Sequence, residues 1–234
     1  MKHLIITVLV VQLFSLTAYC QTSLGLYIGH SMNHANTDIS YRSFTKNQNE
    51  SGVGFAVSVH HQIAKKIVLQ SGAEFIQKKY SLIRTGSFTG LFQTFNNSYL
   101  QVPLAIALKA ARLNRTEIYA TGGVYGAFWY SKKIKGTYPN LFNSVNDSIN
   151  NQLVRTDAFS SGVPFDKTSD RRFEFGWLAG IAVDYRLNKS LSASVKCRYC
   201  YAVTSQNRKT ISESDLYNRT LFTTIGILFY LTNH

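Results

Sequence analysis

Hydrophobic and polar residues alternate along most of this chain, and the stretch from residue 99 to 109 shows the pattern most clearly. Its even positions are all large aliphatic residues, namely Leu100, Val102, Leu104, Ile106 and Leu108. Its odd positions are mainly polar or small, and Gln101 is one of them. A period of two predicts a β-strand with one apolar face and one polar face. A strand of about 9–11 such residues is long enough to cross a membrane.

The same alternation predicts eight strands, which lie at residues 23–32, 52–61, 67–80, 99–109, 116–130, 172–187, 190–204 and 219–232. The connections alternate between long and short, and the long ones are residues 33–51, 81–97, 131–171 and 205–218. Alternate connections of an antiparallel meander lie at opposite ends, so the long loops share one end and both termini lie at the other. We therefore predict an all-β fold, an eight-stranded antiparallel up-and-down transmembrane β-barrel.

The first twenty residues do not follow this pattern. Lys2 and His3 precede an apolar run over residues 4–18, and Ala18 and Cys20 place small residues at the −3 and −1 positions of a cleavage site. These features are typical of a secretory signal peptide. We predict a cleaved signal peptide over residues 1–20 and one barrel domain over 21–234. A lipidated Cys20 is the alternative, although Tyr19 before it departs from the small residue that lipidation requires.

Alternation alone does not say which face lines the interior, because a soluble ligand-binding barrel would turn its apolar face inward. Charged residues stand at mid-strand on the polar face among many glycines, which suits a narrow, filled lumen. Aromatic residues of the apolar face gather near the strand ends, as they do in the girdles at membrane interfaces. We therefore predict the apolar face outward. The girdle consists of Phe55, Phe75, Phe128, Tyr130, Phe173, Phe175, Tyr185, Tyr199, Tyr201 and Phe229.

The polar face predicts a network of charged and amide side chains in the lumen. An eight-stranded barrel is just wide enough for side chains to fill it, and buried charges are costly unless they are paired. We expect Glu74 to pair across the bore with Lys196 or Arg198, and a narrow channel is the alternative to such a plug. The predicted network consists of Glu74, Gln101, Glu117, Glu174, Asp184, Arg186, Lys196 and Arg198.

The formal net charge of +13 suggests an anionic partner. An exported chain meets little nucleic acid, so we expect no nucleic-acid partner and favour outer-membrane lipid and lipopolysaccharide. A merely solvated basic surface explains the charge equally well.

Cys197 and Cys200 are three residues apart on a predicted strand, where they would point to opposite faces. We therefore expect neither a disulfide nor a metal site between them. The sequence predicts no cofactor and no other metal site.

Four short motifs combine aromatic, glycine and aliphatic residues at set positions. They are YLQVPL at 99–104, YATGG at 119–123, the spacing from Gly176 through Gly180 to Asp184, and TIGI at 224–227. Together they resemble the PorT-like outer-membrane β-barrel family over essentially the whole mature chain. The resemblance implies no catalytic residues and, through the founding member, a link to a protein-secretion apparatus. Gln101 stands where the familiar family motif has glutamate, which changes the charge of the lumen.

These features predict a non-enzymatic barrel of the bacterial outer membrane, with periplasmic termini and extracellular long loops. We expect a structural or interaction role, in which the long loops contact an envelope or secretion protein. The loop over 131–171 mixes lysines with aromatic residues, so it could bind a partner protein or a surface glycan, or serve only as a hydrated cover.

An enzyme acting on lipid A is the alternative from another class, and it needs a nucleophile and a base at one membrane interface. His30, His34 and Asp38 are its candidate residues, but the neighbouring Ser31 points to the opposite face. Ser58 and His60 share a face of their strand. We expect this face to line the lumen and the two residues to lie near its periplasmic end.

Overall fold

The computed structural model describes residues 21–37, 44–86, 89–140, 155–208 and 215–231. The predicted signal peptide over 1–20 lies outside the described residues. Over the described part of the chain, no helix has the length and apolar character needed to cross a membrane. The strands are β1 (Thr22–Thr37), β2 (Thr45–Ala64), β3 (Ile67–Arg84), β4 (Phe92–Leu113), β5 (Thr116–Asn140), β6 (Arg155–Gly162), β7 (Phe173–Arg186), β8 (Leu191–Ala202) and β9 (Leu216–Tyr230).

Eight of these nine strands close into an antiparallel ring. The ring runs β1–β2–β3–β4–β5–β7–β8–β9, so each strand pairs with its chain neighbours once β6 is set aside. Pairing of β1 with β9, from Ser23 opposite Tyr230 to Thr37 opposite Leu216, closes it. The predicted eight-stranded antiparallel barrel is thereby confirmed.

The strands extend further than predicted at the end that carries the long connections, which we call the loop end. β2 begins at Thr45, β4 begins at Phe92 and β5 continues to Asn140, so the predicted loops 33–51, 81–97 and 131–171 contain strand residues. β6 lies inside the predicted loop 131–171 and forms a hairpin with the extension of β5. The apolar alternation fades in these extensions, although backbone pairing continues, and the sequence pattern therefore missed them.

The opposite end, which we call the turn end, has the short connections 65–66, 114–115 and 187–190. Along β4 the alternation has the predicted facing, because Leu100 and Val102 are 52 % and 58 % exposed whereas Gln101 is buried. The apolar face is thus the outer wall, and the polar face lines a packed interior.

Large inward side chains lie where a neighbouring strand carries glycine. A Cβ atom on Gly226 would approach Cδ1 of Tyr27 to 2.4 Å, and one on Gly176 would approach Cε1 of Tyr125 to 2.6 Å. These glycines therefore make room for tyrosine rings of the adjacent strands, which explains why the polar face combines glycine with bulky residues.

Candidate functional site in the barrel lumen

An ion pair between Glu74 of β3 and Arg198 of β8 crosses the middle of the bore. Nη2 of Arg198 donates to Oε1 of Glu74 at 2.5 Å, and the side chains are 4 % and 9 % exposed for Glu74 and Arg198. Nε2 of Gln101 donates to the other carboxylate oxygen at 3.2 Å. Because β3 and β8 are four strands apart in the eight-stranded ring, this contact joins opposite walls of the barrel.

A second ion pair lies nearer the loop end and centres on Glu174 of β7. Its carboxylate pairs with Lys78 of β3, whose side chain is completely buried. The hydroxyl of Tyr125 donates to Oε1 of Glu174 at 2.9 Å, and Nδ2 of Asn218 donates to Oε2 at 2.6 Å. The ammonium of Lys78 also lies 4.6 Å from the centroid of the Tyr99 ring. Side chains from five strands, β3, β4, β5, β7 and β9, therefore meet at the Glu174 site.

Lys78 was missing from the lumen residues predicted from the sequence. It has the same parity as Glu74 on the same strand, and both side chains are buried. The alternation could have identified it, but Lys78 lies close to the predicted end of that strand. No feature of the sequence identifies Tyr125 and Asn218 as partners of Glu174, because their hydrogen bonds to it depend on the tertiary structure.

At the turn end, Glu117 accepts hydrogen bonds from Nζ of Lys109 at 2.9 Å and from the hydroxyl of Tyr119 at 2.6 Å. Asp184 stands directly opposite Glu117 in the β5–β7 register. Asp184 is buried, and its Oδ1 atom has no hydrogen-bond partner among the described residues. Arg186 extends over the ring of Tyr230, with 4.9 Å from its Cζ atom to the ring centroid.

These groups line a polar cavity of about 40 Å³, which we call the vestibule. Of the predicted network, Glu117, Asp184 and Arg186 therefore lie in the vestibule, separate from the two ion pairs that cross the bore.

Lys196 does not pair with Glu74, although the sequence left this open. Its Nζ atom lies 3.0 Å from Nε2 of His60 and 3.9 Å from the ring centroid of Tyr27. Oγ of Ser58 lies 3.0 Å from the same imidazole nitrogen. Ser58 and His60 are both buried within the lumen. The side chains packed around them leave little space in which a substrate could reach the hydroxyl and the imidazole.

The structure does not bring together the residues considered for lipid A chemistry. His30 is exposed on the outer wall, whereas the side chain of Ser31 is buried and its hydroxyl donates to the carbonyl oxygen of Gln77. Nδ1 of His34 contacts Oδ1 of Asn49 at 2.7 Å. Asp38 lies outside the described residues.

Two segments cover the bore at the loop end, and we call residues 163–172 and 203–208 the cap. A β-bridge between Asp170 and Asn207 joins them. Phe165 packs edge-on against Trp129 with 5.0 Å between ring centroids. Nζ of Lys132 lies 3.1 Å from Oδ1 of Asp170. These contacts attach the cap to the barrel wall above the Glu174 site.

Within the cap, Asp166 accepts a hydrogen bond from the backbone N–H of Thr168 at 2.9 Å and further bonds from the hydroxyls of Thr168 and Ser169. These donors favour the charged carboxylate and lower the pKa of Asp166. The carboxylate thereby organises the turn in which it lies.

The predicted girdle residues lie on the outer wall. Ring contacts join neighbours across strands, as between Phe75 and Tyr130 at 5.9 Å and between Phe128 and Phe173 at 5.1 Å. Phe75, Phe128 and Tyr201 are half-buried by such contacts. Trp177, which the prediction omitted, stacks on Tyr201 at 5.1 Å. The exposed members are Phe55, Tyr130, Phe173, Phe175, Tyr185, Tyr199 and Phe229.

Cys197 and Cys200 are both free thiols on opposite faces of β8, Cys197 half-buried on the outer wall and Cys200 buried in the lumen. In lipid vesicles we expect a membrane-permeant maleimide to modify Cys197 and a bulky charged maleimide to modify neither thiol. Mass spectrometry of the labelled protein measures both outcomes. Cys197→Ser should abolish labelling and Cys200→Ser should leave it unchanged; charged-reagent labelling of Cys200 would contradict the sealed lumen.

Residues 20–207 of the chain match the family model of the outer membrane protein beta-barrel domain. Among solved structures, Ail of Yersinia pestis is 11 % identical, with 89 % of this chain and 99 % of that chain covered and a TM-score of 0.40. Neisserial surface protein A is 10 % identical, with coverages of 89 % and 96 % and a TM-score of 0.43.

OprG of Pseudomonas aeruginosa is 9 % identical, with coverages of 89 % and 95 % and a TM-score of 0.44. These likenesses concern the fold alone. Comparison with curated proteins found no match.

Proposed function

Because the chain belongs to the outer membrane protein β-barrel family, we propose that it is a non-enzymatic, plugged barrel with a structural or interaction role at the cell envelope. In this proposal the termini lie in the periplasm and the loop end lies outside the cell. The observation that carries it is the pair of buried ion pairs, Glu74 with Arg198 and Lys78 with Glu174.

The two ion pairs support a plug rather than a narrow channel. Glu74 and Arg198 lie on strands that are four apart in the ring, and Lys78 and Glu174 lie on strands that are three apart, so both pairs reach across the bore. The cap packs against Trp129 at the loop end. Opening a solute path would separate oppositely charged groups that are nearly excluded from water, and the separation would remove the attraction that offsets the cost of burying them. A closed bore leaves the outer wall and the loop end as the surfaces on which the protein acts.

We assign interaction to the loop end, where the β5–β6 hairpin rises above the ring. The partner in this proposal is an envelope or secretion protein, in keeping with the resemblance to the PorT-like family. The apolar outer wall with its aromatic residues suits contact with membrane lipid, including lipopolysaccharide in the outer leaflet. The separation of His30, Ser31 and His34 favours this role over lipid A chemistry.

We expect the purified wild-type protein to insert into planar lipid bilayers without steady conductance, because side chains fill the bore. Replacing both Glu74 and Arg198 with alanine should produce intermittent openings. Single-molecule current recordings measure both outcomes, and a steady wild-type conductance would support the channel instead. A deletion strain separates the remaining roles, since a changed lipid A mass would support the enzyme and a loss of secreted proteins would support the secretion link.

A further inference from the structure

The extended strands at the loop end enclose a cleft of about 300 Å³ that is separate from the lumen network. β2, β3, β4 and β5 contribute its walls. Leu82 lies in its lining and also packs against the buried cluster of Ala35, Tyr80 and Leu216. A volume of this size is at the lower end of known ligand-binding pockets, so the cleft is large enough to hold part of an oligomeric ligand.

Two aromatic rings and one guanidinium give the cleft its chemical character. Phe92 and Tyr138 line it and are 40 % and 49 % exposed. The ring of Tyr138 also lies 6.1 Å from that of Phe159, which supports it from the hairpin. Nη1 of Arg84 donates to Oγ1 of Thr45 at 2.8 Å, which restrains the arginine beside the rings. An arginine fork suits bidentate binding of carboxylate or another oxyanion.

The wall of the cleft is held in place independently of any ligand. The hydroxyl of Thr137 donates to the carbonyl oxygen of Gly90 at 2.8 Å and accepts a hydrogen bond from the backbone N–H of Phe92 at 3.2 Å. These two bonds tie the β3–β4 connection to β5 across the cleft. The aromatic and basic groups are thus pre-positioned, which lowers the entropy lost on binding.

The balance of charge at this end favours an anionic ligand. The described residues of these four strand extensions, which are 44–50, 77–86, 89–98 and 131–139, contain one acid, Glu50, and its carboxylate accepts a hydrogen bond from Ser81. A second acid, Asp157 of β6, is opposite Tyr138 in the β5–β6 register. Exposed basic side chains of the same extensions outnumber these two acids, and an excess of one sign concentrates ligands of the opposite sign. They are Lys46, Arg84, Lys133 and Lys135.

The three central strands of the cleft are already paired on both sides. Arg84 is opposite Thr45, Leu82 is opposite Gln93, and Gln93 is opposite Gly136 in the strand registers. A ligand that lies against β3, β4 and β5 is therefore recognised by side chains and ring faces and not by β-augmentation. Sugar rings suit such a surface, because they bind aromatic faces through their apolar sides.

We infer that this cleft binds an acidic oligosaccharide, a uronic-acid polymer from outside the cell, with sugar rings against Tyr138 and Phe92 and a carboxylate on Arg84. The inference rests on the proposed function only for the orientation that exposes the cleft to the exterior. Binding by purified protein in detergent does not depend on that orientation, so the two proposals can fail separately.

The test is calorimetric titration of detergent-folded protein with hexagalacturonate, and with neutral maltohexaose and hexaglutamate as comparisons. We expect saturable binding of hexagalacturonate alone. Tyr138→Ala and Arg84→Gln should each weaken it by about tenfold or more, as expected for loss of a contact to a charged or stacked group. Unchanged heat-dependent mobility on a gel verifies that both variants fold.

Lys133→Gln is the matched control, because it removes one positive charge from the same end without lining the cleft. It should weaken binding by less than about twofold, as a screened surface charge does. Equal losses for Lys133→Gln and Arg84→Gln would overturn the inference, since a diffuse field would then explain binding. Absence of hexagalacturonate binding, or equal binding of hexaglutamate that depends on Tyr138, would overturn it as well.

Discussion

Replacing Glu174 with alanine should lower the free energy of unfolding by about 3–5 kcal/mol, the typical loss when one partner of a buried ion pair is removed. Lys78 is completely buried and would lose the carboxylate that pairs with it. Tyr125 and Asn218 would each lose a hydrogen-bond acceptor at the same time. The Tyr99 ring near the Lys78 ammonium offsets only part of this loss. Urea unfolding in lipid vesicles, followed by gel mobility, measures the change.

Glu117→Ala provides the matched control, because it removes a carboxylate from the vestibule. Its partner Lys109 is 18 % exposed and keeps contact with water, so the loss of stability should be clearly smaller. The double variant Lys78→Met with Glu174→Gln should recover much of the stability lost in Glu174→Ala, since no charge is left unpaired. Equal losses for Glu174→Ala and Glu117→Ala would show that Lys78 is hydrated in the folded barrel.

Replacing both Glu74 and Arg198 with glutamine should destabilise the barrel less than the sum of the two single replacements. Each single variant leaves one charge in the middle of the bore, where both side chains are less than one tenth exposed. The single losses should each be about 3–5 kcal/mol, and the double variant removes the unpaired charge altogether. A double-mutant cycle of unfolding free energies measures this coupling.

Lys196→Gln serves as the control in that cycle, because Lys196 lies against His60 and Tyr27 and makes no contact with Glu74 within ion-pair distance. It should show little coupling to Glu74→Gln. Additive losses for Glu74 and Arg198, or strong coupling between Glu74 and Lys196, would contradict the arrangement of the bore.

The period-two pattern was enough to predict the strands and to divide their side chains between two faces, and the mid-strand charges and aromatic strand ends then predicted that the apolar face is outward. Leu100 and Val102 face outward and Gln101 faces inward because successive side chains of a strand point to opposite faces of the sheet. A register shift of one residue would turn every side chain to the other face. The same rule placed Cys197 and Cys200 on opposite faces. It also applies to Lys78, which lies near the end of the predicted strand 67–80 and has the parity of Glu74.

The ends of the strands were beyond that pattern. Above the apolar band, both faces of a strand contact polar surroundings, so hydrophobic periodicity disappears while backbone hydrogen bonds continue. Thr45, Gln93 and Gly136 accordingly belong to paired strands although they lie in predicted loops. The β5–β6 hairpin and the cleft both follow from these extensions.

The sequence by itself determined the number of ring strands, because this number depends only on local alternation and turn spacing. It also determined the outward apolar wall, because charged residues at mid-strand and aromatic residues at the strand ends distinguish the two faces. Only the tertiary structure decided that Arg198, and not Lys196, meets Glu74, and that Glu174 binds Lys78. Alternation predicts that Lys78, Lys196 and Arg198 all point inward. It does not predict how far each side chain extends or at what level of the barrel its charged group lies. Partner choice depends on side-chain length, stagger between distant strands and the space that neighbours such as Tyr27 occupy, and closure of the ring sets all three at once.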